Sequence, residues 1–406
     1  MRCRSCGSAV RSFLDLGSTP LANSFLKEDQ LATDEPFFPL EVGFCETCTL
    51  VQLMHTVPPE SIFRDYVYVT STSSSITAHF HELARDAVER FGLGSDDLVV
   101  EFGSNDGTLL RGFEPFGVRT LGIEPATNIA EIARTNGVET MNEFFGPGVA
   151  RRVRDERGPA AYVVGCNVVA HIPDLNATME GVATLLSDEG VFQLEAPYLL
   201  ELLQRAEFDT IYHEHFFYFS LKALEHVIER HGLRIFDVKF FPQVHGGSTR
   251  VSVCRTGAGR AQTPVARHAL EREQDAGVGD FTTYAKFADR VAGIRSRLLE
   301  LLQSLRRDGT RVAAYGAAAK GNTLLNYCGI GPDLLEYVAD KNPLKQGLYT
   351  PGMHLPVVEA ARLAADQPDY TLILAWNMAD EIVAEQQAYR EGGGRFIVPI
   401  PDPALI

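Results

Sequence analysis

The chain has 406 residues, 45% of them hydrophobic, and a formal net charge of −16. Its length and hydrophobic share predict a large core divided between two or three domains. The acidic excess excludes a broad nucleic-acid or anionic-membrane surface, which leaves small molecules and proteins as partners, with room for a local basic pocket that takes a phosphate.

No run approaches the length of a membrane span, and the opening MRCRSCGSAV lacks the apolar core of a signal peptide, so the cytoplasm is the expected compartment. Residues 1 to about 75 are loop-rich, with short strand-like pieces such as FFPLEVGFC and LVQLMH, and have little core of their own. They carry Cys3-x-x-Cys6 and Cys45-x-x-Cys48, four of the chain's seven cysteines. Each pair puts two sulfurs on one tight turn, and two such turns supply the four thiolates of a closed, structural zinc site. A redox role is weaker, because neither pair sits in a thioredoxin-like βαβ context. Cys166, Cys254 and Cys328 are isolated in apolar or strand-like sequence and read as buried thiols.

From ITAHFHELARDAVERFG onward, helices alternate with the strands DLVVEFG, TLGIEP, AYVVGCNVVA and GVFQLEAP. This alternation predicts a parallel sheet covered by helices on both faces. Within VVEFGSNDGTLL, the series Glu101, Gly103, Asn105 and Gly107 follows an apolar strand and opens a helix. Such a turn brings backbone close to a ligand, and an acid after the next strand, here Glu124, binds ribose hydroxyls. NAD and S-adenosylmethionine sites share this logic. An acid two residues ahead of the first glycine, with Asn in place of the middle one, suits the cationic sulfonium and would repel a pyrophosphate, so S-adenosylmethionine is the favoured cofactor. The end of the AYVVGCNVVA strand, Asn167 to His171, is expected to reach the same crevice. His171 itself reads as a structural or loop histidine rather than a catalytic one.

FDTIYHEHFFYFS, residues Phe208 to Ser220, gathers Tyr212, His213, Glu214 and His215 among aromatics. In extended backbone His213 and His215 would share a face, as in a metal-binding His-x-His, whereas helix or loop would dissolve that pairing. An imidazole oriented by a carboxylate and flanked by tyrosines is a plausible general base. Packing accounts for the phenylalanines and poorly for the Tyr-His-Glu-His cluster. After a strand at GSTRVSVCRTG, residues 259 to 308 are polar and helical, and a second strand-helix series runs from RVAAYGAAAKGNTLLNYCG to RFIVPIP. There the small turn Gly316 to Ala319, with Lys320 and the later Lys345, could admit a pyrophosphate, or the small residues could serve helix packing alone.

These features, in this order, resemble the S-adenosylmethionine-dependent sugar C-methyltransferases that act on nucleotide-linked 4-keto-6-deoxyhexoses. The motifs CRSCG, CETC, FRDYVYVTSTSS, VEFGSNDG, NVVAHIPD, FDTIYHEH, HGGSTR, YGAAAKGN and DKNPLKQGLYTPG carry the resemblance over nearly the whole chain. It implies an α/β protein of three domains: a zinc-binding domain at 1–75 that helps close the sugar pocket, a Rossmann-like S-adenosylmethionine domain at 76–258, and a smaller Rossmann-like domain at 259–406 that grips the nucleotide, usually dTDP. It implies His215 as the base, with Tyr212, Glu214 and Tyr66 in the same pocket, and His245 and Ser248 near sugar or cofactor. Gly316, Lys320, Asn322 and Lys345 fall to the nucleotide. A smaller residue is expected at Phe217.

The resulting expectation is methylation of C3 of a dTDP-linked 4-keto-deoxysugar through an enolate, by a protein expected to be a monomer. Methylation at C5, the other carbon beside the ketone, is a close alternative. An NAD-dependent sugar-nucleotide oxidoreductase and a non-catalytic zinc module are the rivals from other classes.

Overall fold

The computed structural model describes residues 1–58, 69–243 and 247–406. Tyr66 and His245 lie outside the described residues.

The N-terminal segment forms an antiparallel meander of β1 (Arg11–Thr19), β2 (Phe38–Phe44) and β3 (Val51–Leu53). Along β2 the residues at every second position, Leu40, Val42 and Phe44, are buried, which is the period-two pattern of a sheet with one face on a core. After a 3-10 turn at Thr70–Thr72 comes the helix Ser74–Phe91, capped by the Ser73 hydroxyl accepting from the Ile76 N–H and closed by Gly92 at φ 69°.

The strands that follow are β4 (Leu98–Phe102), β5 (Arg119–Ile123), β6 (Thr140–Met141), β7 (Ala160–Cys166), β8 (Leu186–Pro197), β9 (Phe217–Tyr218), β10 (Leu233–Phe241) and β11 (Ser248–Arg255). Seven of them make one sheet, in the order β10-β11-β8-β7-β4-β5-β6. β4 through β8 pair in parallel and β11 and β10 add antiparallel at one edge. β5 lies on one side of β4 and β7 on the other, so chain order reverses at β4 and opens a crevice beyond its carboxyl end.

β9 is the exception. It leaves this sheet and pairs antiparallel with β3, Val51 opposite Tyr218 and Gln52 opposite Phe217, as the fourth strand of the N-terminal sheet.

The helix Phe281–Arg307, 27 residues and so about 40 Å long, carries a buried stripe of Tyr284, Phe287, Val291, Ile294, Leu298, Leu302 and Leu305. Its start packs on the N-terminal sheet, with the Tyr284 ring stacked 4.4 Å from Phe44 and 5.0 Å from Phe13. Beyond it come β12 (Val312–Tyr315), β13 (Val338–Asp340), β14 (Val357–Glu359), β15 (Tyr370–Ile373), β16 (Arg395–Val398) and β17 (Ala404–Leu405). They form a sheet ordered β14-β13-β12-β15-β16-β17, parallel except for the last pair, with its own order reversal at β12.

Polar ties join the segments. The Asn176 amide and Arg230 guanidinium both donate to the Ser5 carbonyl at 2.9 Å, and the Gly352 N–H and His354 ring donate to Glu35 at 3.0 Å. Among the described residues no helix is long and apolar enough to cross a membrane.

Candidate active site

The four N-terminal cysteines come from two matching turns. The Gly7 N–H donates to the Cys3 carbonyl and the Thr49 N–H to the Cys45 carbonyl, and Gly7 and Thr49 both take positive φ, 76° and 59°. Each turn thereby folds its two sulfurs inward. All four Sγ atoms lie within 4.8 Å of one another, with Cys3–Cys48 and Cys6–Cys45 at 3.5 Å. A tetrahedral zinc with 2.3 Å bonds needs sulfurs about 3.8 Å apart, so the cluster fits the ion. Burial pushes the Cys45 thiol up, so a buried thiolate here calls for a cation. Among the described residues it is the one such group of His, Cys, Asp and Glu placed to share an ion.

The stretch from Phe208 to Ser220 is held from several sides. Phe208–Thr210 is a single 3-10 turn, the His215 N–H closes a second turn on the Tyr212 carbonyl, and β9 follows. The backbone is therefore not extended through the histidines, and the shared His-x-His face does not form. The Phe216 N–H donates to Ala170, and the Phe216 carbonyl accepts from the Leu53 N–H. His213 turns away from the cavity to the N-terminal sheet, its Nε2 3.2 Å from the Phe38 carbonyl, and burial holds its pKa below the ordinary value. It is a neutral structural histidine.

His215 faces a large cavity. Its Nδ1 lies 2.8 Å from the Thr210 carbonyl. A carbonyl can only accept, so Nδ1 carries the proton and, in the neutral ring, Nε2 keeps its lone pair. The Tyr212 ring packs 4.1 Å from the imidazole and the His171 ring crosses it edge-on at 4.9 Å. Burial and the neighbouring His215 depress His171, so it stays neutral beside its partner, while burial holds the Tyr212 hydroxyl well above its usual pKa. Glu214 is buried, and its Oε1 accepts from the Asn23 amide at 2.6 Å.

At the carboxyl end of β4, Gly103, Asn105 and Gly107 take φ of 63°, 49° and 78°. A Cβ on Gly103 would run into Val168 and one on Gly107 would come within 2.6 Å of Val138. Glu101 is buried, its Oε2 has no hydrogen-bond partner among the described residues, and burial with Glu124 and Asp106 nearby pushes its pKa well up. Glu124 is fixed by the Asn105 N–H at 2.9 Å and the Ala126 N–H at 2.8 Å, yet burial still raises it. Asn167, at φ 53°, has its side-chain oxygen buried with no partner among the described residues.

The third wall comes from the C-terminal sheet. The Lys320 ammonium lies 4.9 Å over the Trp376 ring, with no carboxylate among the described residues within 4.0 Å. Burial lowers its pKa against the pull of Asp209 and Glu207. The Lys345 ammonium donates to the Ala317 carbonyl at 2.6 Å and lies 5.1 Å over Phe25.

These three walls enclose one cavity of about 1190 Å³, lined by Glu101, Gly103, Asn105, Glu124 and Asn167, by His171, Tyr212, Glu214 and His215, and by Lys320 and Lys345. That exceeds the usual 300–1,000 Å³ of a site for one small ligand, so it has room for two.

The chain is 42% identical to the C-methyltransferase NovU of Streptomyces niveus over 407 aligned positions, which cover 100% of this chain and 96% of that one. The chain belongs to the S-adenosylmethionine-dependent sugar C-methyltransferase family. Three family models match it in succession: a zinc binding domain at residues 3–63, a methyltransferase domain at 76–238 and a C-methyltransferase C-terminal domain at 243–401. Solved structures align over the middle part. They include the PH0226 protein of Pyrococcus horikoshii OT3, 16% identical over 46% of this chain and 94% of that one with a TM-score of 0.38. The magnesium protoporphyrin IX methyltransferase of Synechocystis PCC 6803 with bound SAH is 15% identical over 44% and 83%, with a TM-score of 0.35.

As a C-methyltransferase of this family the protein uses S-adenosylmethionine and a structural zinc, and the oxidoreductase reading falls away. The orphaned Glu101 oxygen and the Asn167 amide fit the cofactor's polar groups, since a buried carboxylate without a partner is costly until a cation or donor reaches it. Four cysteines fill the zinc's coordination and leave no open position.

Not every expected site residue reaches the cavity. Gly107, Gly316 and Ser248 lie behind its wall, the two glycines at positive φ and Ser248 buried in β11 opposite Pro197. Asn322 is turned away, its amide donating to the Ala22 carbonyl at 2.7 Å as a tie between segments. Asn23 was not singled out from the sequence: an asparagine in a loop carries no local signal, and its partner Glu214 is 191 residues away. His171 packs directly on His215, where a structural or loop histidine was expected. Phe217 remains buried on the cavity wall, larger than expected.

Proposed function

We propose that this C-methyltransferase adds a methyl group to C3 of a dTDP-linked 4-keto-deoxysugar, with His215 as the base. The observation that supports it best is the commitment of His215 Nδ1–H to the Thr210 carbonyl, on the wall of a cavity with an acidic turn at one end and two lysines at another. That bond leaves Nε2 to take a proton. A carbon beside a ketone is acidic enough to give one up, producing an enolate whose carbon is the nucleophile. S-adenosylmethionine, when bound, supplies the electrophilic methyl group.

The protein's residues do the rest. Glu101, Glu124 and Asn167 hold the cofactor's cationic and ribose end. Tyr212, kept as a phenol by burial, donates to the developing enolate oxygen, a contact worth about 2.7–4 kcal/mol where such a donor is lost. Glu214, steadied by Asn23, orients the sugar. Lys320 and Lys345 meet the pyrophosphate as point charges. Tyr66 and His245 are kept as further contacts to the sugar or cofactor, Gly316 and Asn322 as the frame of the nucleotide turn, and Ser248 as part of the frame behind the cavity wall. In this reading the enzyme works as a monomer in the cytoplasm.

The test is incubation with S-adenosylmethionine and a panel of dTDP-4-keto sugars in deuterated water. The methyl group is expected at C3, and His215→Ala is expected to lower transfer by about 10²–10⁴-fold. A methyl at C5 would defeat the position, and full transfer by His215→Ala would defeat the base.

A further inference from the structure

We propose that Asp209 is a positioning residue that sets the distance between the sugar's base and its phosphate anchor, using Trp376 as the link. This rests on the reading of His215 as base and Lys320 as phosphate ligand.

The 3-10 turn Phe208–Thr210 has two jobs in adjacent residues. The Thr210 carbonyl holds His215 by Nδ1–H at 2.8 Å. One residue earlier, fully buried Asp209 accepts from the Trp376 indole N–H at 2.7 Å. Trp376 belongs to the C-terminal sheet's loop after β15, and its ring carries the Lys320 ammonium at 4.9 Å. Lys320 and Thr210 both line the cavity. A continuous chain of contacts therefore runs from the base, through one rigid turn and one indole, to the cation.

The chemistry of the link is unusual for a plain packing contact. Burying a carboxylate is costly, and an apolar residue would fill the space against an indole better. Asp209 Oδ2 accepts from the indole N–H, and Oδ1 is buried without a hydrogen-bond partner among the described residues. Burial raises Asp209 against the pull of Lys320, and Asp209 with Glu207 opposes the lowering that burial imposes on the Lys320 ammonium. One side chain thus fixes where the indole stands and favours the charge that the indole carries.

A sugar nucleotide spans both ends, its keto carbon at His215 and its pyrophosphate at Lys320. Loosening the link should leave each end able to bind its own group while spoiling their mutual placement. An error of 1 Å in such placement costs roughly 10²-fold in rate.

The experiment uses the full-length zinc-loaded enzyme and the variants Asp209→Asn, Trp376→Phe and their double. The expected result is a fall in kcat of roughly 10–100-fold in each single variant, with calorimetric affinity for dTDP alone and for S-adenosylhomocysteine within about threefold of the parent. The double variant should be no slower than the slower single, because both cut the same link. Equal losses in kcat and in dTDP affinity, unchanged kcat, or additive effects in the double would each overturn the proposal. If Asp209→Asn does not fold, Trp376→Phe, which keeps a ring under Lys320, decides by the same split between kcat and affinity. Lys320→Ala separates the underlying reading: unchanged dTDP affinity there would sink the phosphate role of Lys320, and active His215→Ala the base, whatever the Asp209 variants do.

Discussion

A histidine can take a proton from carbon at neutral pH only if its ring is neutral, correctly protonated and aimed. The Thr210 carbonyl settles the tautomer of His215, and the crossed His171 ring sets the plane. Several buried carboxylates lie at the opposite extreme, undercompensated by their neighbours. Burial pushes Glu207 up to about 7, and the guanidinium of Arg205 at 3.3 Å does not offset it. The folded state therefore holds this proton more tightly than the unfolded chain, so stability is fullest below the ordinary carboxyl pKa and falls as pH rises from about 4.5 towards 7. Glu207→Gln should flatten that fall, by up to about 3 kcal/mol between pH 4.5 and 7.5 in urea melts, and equal slopes in variant and parent would refute it. For Glu101 the same reasoning predicts a trade. Glu101→Gln removes a buried, raised carboxyl and should raise the ligand-free melting temperature while weakening S-adenosylhomocysteine by about tenfold or more in calorimetry.

Among the elements, the short strand β9 does most to assemble the site. It begins two residues after His215 and is hydrogen-bonded to β3, whose sheet is knitted to the cysteine turns through the Arg4 contacts with Gln52 and Leu53. Removing the zinc should thus loosen the turn bearing His215 before it disturbs the glycine turn after β4. Treatment with a strong chelator, or Cys45→Ser, is expected to abolish methyl transfer while S-adenosylhomocysteine still binds within about threefold, since free energy of structural zinc binding is largely folding free energy of the domain that holds it. Loss of both together would show that the methyltransferase sheet needs the metal too.

This element also marks where the sequence stops being legible. Cys-x-x-Cys spacing, the glycine turn after β4 and the alternation of strands with helices are local patterns, and each formed as read. The pairing of Phe217–Tyr218 with Val51 and Gln52 joins residues more than 160 positions apart and leaves no periodic trace. Hence the sequence left open whether His213 shares a face with His215, and the turn at Tyr212 sends it to the Phe38 carbonyl. Asn322 looked like part of a ligand turn for the same reason: its motif is local, while its true partner, the Ala22 carbonyl, is 300 residues away.

Across the whole molecule, three sheets share one continuous apolar core, running from Leu40 and Phe44 through Phe208 and Phe216 to Leu324 and Leu374. Three sequence domains need not be three unfolding units when one of them borrows a strand from the next. A calorimetric scan of the zinc-loaded protein should show one transition, with calorimetric and van't Hoff enthalpies nearly equal. Resolved transitions would mean that the ties through Ser5, Glu35 and Asn322 are too weak to couple the units.

The indole that bridges Asp209 and Lys320 is the chain's single tryptophan. Its emission is consequently free of any other indole's signal and arises at the joint where the cavity wall bearing Lys320 meets the turn bearing His215. The enzyme contains its own optical gauge: ligand entry at one end of the cavity can be followed by light, in real time, without attaching a dye.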